Sequence, residues 1–267
     1  MRKASAIAGK ELSLFFATPW AYVVLTAMTA LSSLFFVSLL QNFREIQEVA
    51  RTNGWARMGP EFAAYRNLTD GVIIQLWEII AVITLFVAPF ISMRLFAEER
   101  RQKTFELLMT TPVRPWEIVL GKYLGGLGAV GATLGLTLLF PLLLAGSGSG
   151  ESGRALEWST VLLGYFGLLL WGATCVAVGM FISALTESQM LAAFLTFAIL
   201  LPWMLLRNLA QSSAEPWRSL ASYVSFSTEL QNLDRGVLDL KALVFFSSVI
   251  GFSLFLTHRA VEAQRWT

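Results

Sequence analysis

The chain has 267 residues, of which 55% are hydrophobic and only 14% are charged, and its mean hydropathy is +0.62. This composition is too apolar for a soluble domain and indicates a polytopic membrane protein. The formal net charge of +2 comes from basic residues spread over several loops, which argues against a nucleic-acid partner. One cysteine, Cys175, and one histidine, His258, give neither a disulfide framework nor the spacing of a metal site.

The N-terminal residues 2–17 predict a helix that lies in the membrane surface. Their apolar side chains fall on one broad helical arc, and Arg2, Lys3 and Lys10 fall opposite. Glu11 interrupts the apolar arc. We favour a carboxylate that reaches out to water along the helix, and the alternative is a specific partner.

Six apolar segments follow, and each is long enough to cross a bilayer as an α-helix, although the last one only just reaches the required length. We therefore predict an all-α polytopic membrane protein with six transmembrane helices and an N-terminal interfacial helix. The predicted spans are 20–40, 72–92, 118–145, 158–185, 190–206 and 239–257.

Two features inside the spans are notable. The row Gly121, Gly125, Gly128 and Gly131 has the spacing that lets helices approach closely. Glu78 lies within the second span, where a carboxylate is costly unless it is paired, protonated or near water. It is a candidate for a transport pathway, and the alternative is a side chain that reaches the external headgroup region beside Trp77.

The most charged part of the chain lies between the second and third spans. Five of the six residues from Glu98 to Lys103 are charged, so this segment must sit in water. The pattern predicts a two-faced helix over 94–111 that Pro112 ends, and a new helix start at Pro115. The alternative is an ordinary loop whose charges only keep it solvated.

The residue pattern of this segment resembles the first coupling helix of ABC-2 type permeases. That family shows a glutamate pair, then Thr-x-Glu-Leu-Leu, a proline, and Ile-Val-Leu-Gly-Lys. The matching residues here are Glu98, Glu99, Thr104, Glu106, Leu107, Leu108, Pro112, Gly121 and Lys122. Many members carry glycine where this chain has Lys103, and some gliding-motility (GldF-like) members also lack that glycine.

The resemblance covers nearly the whole chain and is closest to the GldF-like subfamily. Lys10-Glu11-Leu12 and Pro19 are similar to the start of those permeases, as are Arg235 to Asp239 and Arg265-Trp266 to their end. One departure is Glu229, where relatives often carry histidine.

This resemblance implies a single ABC-2 type transmembrane domain over residues 1–267, with a cytoplasmic coupling helix at 94–111. It implies a dimer with a second copy or a homologue, a separate ABC ATPase subunit and, in many systems, an auxiliary membrane protein. The ATPase-coupling residues would be Glu98, Glu99, Thr104, Glu106, Leu107 and Leu108. The chain has no G-x-x-x-x-G-K-[ST] phosphate loop, so we expect no cofactor and no catalysis on this subunit, with ATP bound by the partner.

The expected location is the bacterial inner membrane with both termini in the cytoplasm. Six of the 20 Lys and Arg residues fall in the short segment from Arg94 to Lys122, and positive residues favour the cytoplasmic side. A secondary transporter not driven by ATP is the alternative function. It would need inverted repeats and broken helices, which the sequence does not show convincingly. A membrane-embedded hydrolase is a third class that the sequence does not favour.

Overall fold

The computed structural model describes residues 2–54, 59, 62, 65, 67–104, 113–147, 156–212 and 239–263, with the backbone alone for Arg2, Asn53, Ser147 and 207–212. These residues form α-helices joined by turns, and no strand occurs among them. A short π-helix, Thr69–Ile73, leads into the third α-helix. The α-helices are α1 Arg2–Ala17, α2 Pro19–Asn53, α3 Ile74–Ser92, α4 Arg94–Arg101, α5 Pro115–Thr137, α6 Leu139–Ser147, α7 Trp158–Leu185, α8 Gln189–Ser212 and α9 Leu240–Ala263.

Six helical stretches in this part of the chain are long and apolar enough to cross a membrane. The predicted all-α polytopic fold with six transmembrane helices is thereby confirmed. These stretches are α2 up to Thr52, the π-helix with α3 and α4, α5 together with α6, α7, α8 up to Leu206, and α9.

Several boundaries differ from the sequence prediction. The first span continues as helix to Asn53, so residues 41–53 are helical and not loop. Gln, Arg and Glu are good helix formers, and the helix can therefore extend past the apolar segment. The third span is divided at Leu138, between α5 and α6, and Pro141 is the third residue of α6. The mixture of aromatic, aliphatic and polar residues at 207–238 also predicts short helices resting on the external face, and residues 213–238 lie outside the described residues.

The core lies between α7 and the helices around it. Trp171 of α7 is fully buried and donates a hydrogen bond from Nε1 to the backbone oxygen of Ala81 in α3, at 3.0 Å. Gly164 of α7 faces the Trp77 ring so closely that an added Cβ would overlap the indole. These contacts join α3 and α7 along their lengths. By contrast, α2, α8 and α9 expose most of their apolar surface in the single chain.

The glycine row of α5 receives the N-terminal helix. A Cβ added at Gly121 would come within 2.7 Å of the Ile7 side chain, and one at Gly125 within 2.5 Å of Glu11. Gly128 faces Leu12, whereas an added Cβ at Gly131 meets nothing within 4 Å. The glycines therefore bring α1 against α5, as close packing of small residues allows. The sequence predicted a close approach here but did not identify the partner helix.

Candidate functional site

The short charged helix α4 begins two residues after α3 ends, and a side chain of α7 holds its first turn. The first backbone N–H groups of any helix lack partners inside the helix. Ser183 Oγ accepts hydrogen bonds from the N–H groups of Phe96, at 3.1 Å, and Ala97, at 3.0 Å. The same hydroxyl donates to the Met93 backbone oxygen at 2.9 Å. Ser183 thus acts as an N-terminal cap supplied by another helix.

The other end of α4 is also tied to α7. Arg100 Nη1 donates to the backbone oxygen of Ala184 at 2.6 Å. This carbonyl lies in the last turn of α7, where backbone oxygens lack helical partners and favour a cation. Both ends of α4 are therefore attached to the same end of α7, and α4 is fixed in place as a rigid projection of that helix.

The C-terminus of α4 interrupts the predicted helix over 94–111, of which residues 105–111 lie outside the described residues. The helix ends at Arg101, and Lys103 has φ of 56°. The N–H of Thr104 bonds the Glu99 oxygen at 3.0 Å, and the N–H of Lys103 bonds the Arg100 oxygen at 3.1 Å. This is a Schellman motif, whose left-handed position is usually glycine. Lys103 therefore occupies the position of this motif that glycine usually takes.

The structure places three of the six predicted coupling residues in this segment. Glu98 pairs with Arg94 at 3.0 Å and its side chain is 31% exposed. Glu99 points inward and pairs with Lys122 at 2.9 Å. Thr104 is exposed. The predicted residues Glu106, Leu107 and Leu108 lie outside the described residues. The two adjacent glutamates, predicted as one acidic pair, therefore have different surroundings.

A buried ion cluster lies beneath α4. The Lys122 side chain is 2% exposed, and its Nζ lies 2.8 Å from Glu11 Oε1 and 2.9 Å from Glu99 Oε1. It also lies 5.3 Å from the centre of the Phe96 ring. Among the described residues, Glu99 Oε2 is a buried oxygen with no hydrogen-bond partner.

This cluster decides between the two interpretations of Glu11. The sequence favoured a carboxylate reaching water, and the structure instead gives Glu11 a specific partner, Lys122. The signal was present in the spacing, because Glu11 lies four residues after Ile7 and four before Phe15, on the face that packs. From the sequence alone Glu11 only interrupts the apolar arc, because the partner helix does not show in the local pattern.

A groove of about 620 Å³ opens beside the cluster, between α1, α4 and α5. Its wall combines charges of both signs with apolar side chains. The lining residues are Lys10, Glu11, Leu14, Phe15, Thr18, Ile91, Arg94, Leu95, Glu98, Glu99, Gln102, Thr104, Lys122, Gly125, Gly126 and Ala129. The groove therefore lies between the N-terminal helix and the C-terminal end of α4.

Glu78 lies elsewhere. Its side chain is exposed on α3, whereas the neighbouring Trp77 is fully buried, and it does not line the groove beside α4. Glu78 therefore points away from the core of the single chain. Across the described residues, no group of three or more His, Cys, Asp or Glu side chains could hold a metal ion.

Six apolar helical stretches, with the short charged helix α4 at the end of the second, define a multi-pass membrane protein. Residues 5–257 match the family described as ABC-2 family transporter protein, and the chain belongs to this family. It is also 28% identical, over 130 residues, to the "Probable multidrug ABC transporter permease YbhR" of Escherichia coli strain K12 and to its counterpart in strain O157:H7. That match covers 48% of this chain and only 33% of each relative.

Proposed function

We propose that this chain is the membrane subunit of an ABC transporter and couples ATP hydrolysis on a separate ATPase subunit to export or to mechanical transmission across the membrane. The observation that carries the proposal is the fixation of α4. Ser183 holds its first turn, and Arg100 and Glu99 tie its last turn to α7 and α5. A helix held at both ends can transmit a push, whereas a solvated loop would absorb it.

The proposed mechanism is mechanical. Closure of the ATPase dimer would press on the exposed turn around Gln102 and Thr104, and α4 would pass the displacement to α7 and α5. A packed core responds to such a displacement by shifting between discrete arrangements. The spans would thereby change access to a space between two six-span halves. ATP and its hydrolysis would stay with the partner, and this subunit would not be catalytic.

A second permease copy or a homologue would complete the assembly. Support comes from the exposed apolar faces of α2 and α8, where Leu34 is 69% exposed and Phe194 is 67% exposed. Lipid and the second subunit would share these faces. An auxiliary membrane protein would join them if the chain belongs to the GldF-like gliding-motility branch. Export of drug-like molecules, after the name of YbhR, is the competing version of the same function.

The proposed location is the bacterial inner membrane with both termini in the cytoplasm. In this orientation α4 and its terminal turn face the cytoplasm, where an ATPase would find ATP. Reporter fusions at Gln102 and at Gly148 test this orientation, because the two positions should report opposite sides. Reporters active on the same side would contradict six spans with this orientation.

Affinity purification from native membranes tests the coupling. We expect an ATPase with a G-x-x-x-x-G-K-[ST] motif to co-purify with the tagged chain in comparable amount. Glu98→Ala should reduce that amount, since a charge-assisted contact is lost at the junction. Glu45→Ala, which removes an exposed glutamate of α2, is the matched control. Purification of wild type without any such ATPase, together with transport driven by an ion gradient alone, would favour the secondary transporter.

A further inference from the structure

Lys122 joins three separate segments of the chain. It lies in α5, its two carboxylate partners belong to α1 and α4, and its side chain is 2% exposed. Removing an ammonium group from water is expensive unless close partners compensate. The two contacts of 2.8 and 2.9 Å therefore require α1 and α4 to stay where they are.

The cluster is better suited to fixing positions than to adding stability. Buried ion pairs often contribute no more than apolar side chains of similar volume would, whereas they demand one geometry. Here two carboxylates share one lysine, and Glu99 Oε2 is buried without a hydrogen-bond partner among the described residues. A cluster with an unsatisfied oxygen is a poor stabiliser. What it does specify is the distance from α1 to α4 across the groove.

The N-terminal helix also leads directly into the first span. α1 ends at Ala17 and α2 begins at Pro19. At this junction Thr18 Oγ1 accepts a hydrogen bond from Arg94 Nη1 at 3.3 Å, which gives a second, weaker link between α1 and α4. Any displacement that α1 shares with α4 would therefore reach α2.

We propose that Lys122 is a positioning residue that locks the N-terminal helix to α4, so that α1 and the first span move together with the segment that contacts the ATPase. The shared movement rests on the proposed coupling to an ATPase, whereas the attachment of α1 to α4 through Lys122 does not. Gly121, Gly125 and Gly128 bring α1 close to α5, and Lys122 sets where α1 stands relative to α4.

Spin-label distances test the lock in the full-length protein in lipid nanodiscs. The labels are placed on the exposed positions Ser13 of α1 and Gln102 at the end of α4, in a Cys175→Ala background. With Lys122 present, the distance distribution should be single and narrow. Lys122→Met should give a broader or second population, and Lys122→Arg should restore the narrow one, which loss of packing alone does not predict.

A second variant covers the case in which Lys122→Met fails to fold. Glu11→Leu removes only the α1 partner of Lys122. The ion pair of Lys122 and Glu99, whose net charge is zero, remains, so α1 alone should be released. Lys10→Gln, a charge change one residue away on the exposed side of α1, is the matched control and should keep the wild-type distance. If Glu11→Leu keeps a single narrow distance as well, glycine packing alone holds α1 and the proposal is wrong.

The functional arm uses the complex with its co-purified ATPase. Glu11→Leu should keep the ATPase bound and hydrolysing, and should lower the amount transported per ATP. If the distance distribution of this variant is broadened but its transport per ATP equals that of wild type, the coupled movement of α1 is refuted. If no ATPase accompanies the wild-type chain, the proposed function fails while the distance result still decides the lock.

Discussion

The Nζ atom of Lys122 lies 2.8 Å from Glu11 Oε1, although 111 residues separate the two in the chain. This contact connects the N-terminal helix to the start of the third span. It also places a fully buried charge beneath α4, the helix that we propose contacts a separate ATPase. The stability and the coupling of the protein should therefore respond differently to changes in this cluster.

Lys122→Met should lower the free energy of unfolding by about 3 kcal/mol, because it leaves two carboxylates that are only 14% and 18% exposed without a counter-charge. The triple variant Lys122→Met/Glu11→Leu/Glu99→Leu should regain much of that loss, since an apolar replacement of the whole cluster needs no charge compensation. Thermal unfolding in detergent measures both, with Lys10→Met as the control. A triple variant as unstable as the single one would show that packing, and not charge, dominates this site.

Ser183→Ala should release the first turn of α4 and lower stability by about 2 kcal/mol, because two buried N–H groups lose their acceptor. Its matched control is Thr174→Ala on the same helix. The Thr174 hydroxyl bonds only the Leu170 oxygen of its own helix, at 2.9 Å, so its loss should cost less. Hydrogen exchange at Phe96 and Ala97 should rise in Ser183→Ala alone. Unchanged exchange there would mean that Ser183 does not hold α4.

Lys103→Gly should stabilise the protein by roughly 1 kcal/mol, since a left-handed backbone carries no steric cost for glycine. Lys103→Val should destabilise it, because a β-branched side chain fits this conformation poorly. Thermal unfolding of the two variants beside wild type gives the comparison. Thermal stability should increase in the order valine, lysine, glycine. A valine variant as stable as the glycine variant would contradict the turn at the end of α4.

The sequence predicts where the membrane-spanning helices lie, but it does not predict which helices pack against each other. Apolar length located the spans, and Pro115 with Glu117 located the start of α5, where the Glu117 carboxylate accepts from the Arg114 N–H at 3.1 Å. Helical periodicity did not reveal the turn at Gln102 to Thr104, because a lysine gives no sign of a left-handed backbone. The contacts of Ser183 and Glu11 join residues far apart in sequence, and no local pattern contains that information.

The single histidine shows the same limit. From its place at the rim of the last span, the sequence alone predicts that His258 is a surface residue. Its side chain is instead 12% exposed and stacks on Trp116, with ring centres 4.3 Å apart. This contact joins the start of α5 to the end of α9. Trp116 and His258 are 142 positions apart, so the pairing depends on how the helices assemble and not on either local sequence.

Glu78→Gln should leave folding and assembly intact and alter substrate-stimulated turnover, if the carboxylate serves a transport pathway. Its exposed position on α3 is compatible with a space formed only when two halves assemble. Turnover in reconstituted vesicles is the measurement, and size-exclusion chromatography controls for assembly. Unchanged turnover would favour the alternative, in which Glu78 reaches the external headgroup region.

The most direct test of the account is site-specific photo-crosslinking in living cells. A photoreactive residue is placed at Arg101, exposed at the end of α4, and separately at Leu34, exposed on the apolar face of α2. Adducts are identified by mass spectrometry. The account predicts an adduct with an ATPase carrying the G-x-x-x-x-G-K-[ST] motif from Arg101 and none from Leu34. Absence of an ATPase adduct at Arg101, in cells where the protein is transport-active, would contradict the assignment of α4 as the coupling element.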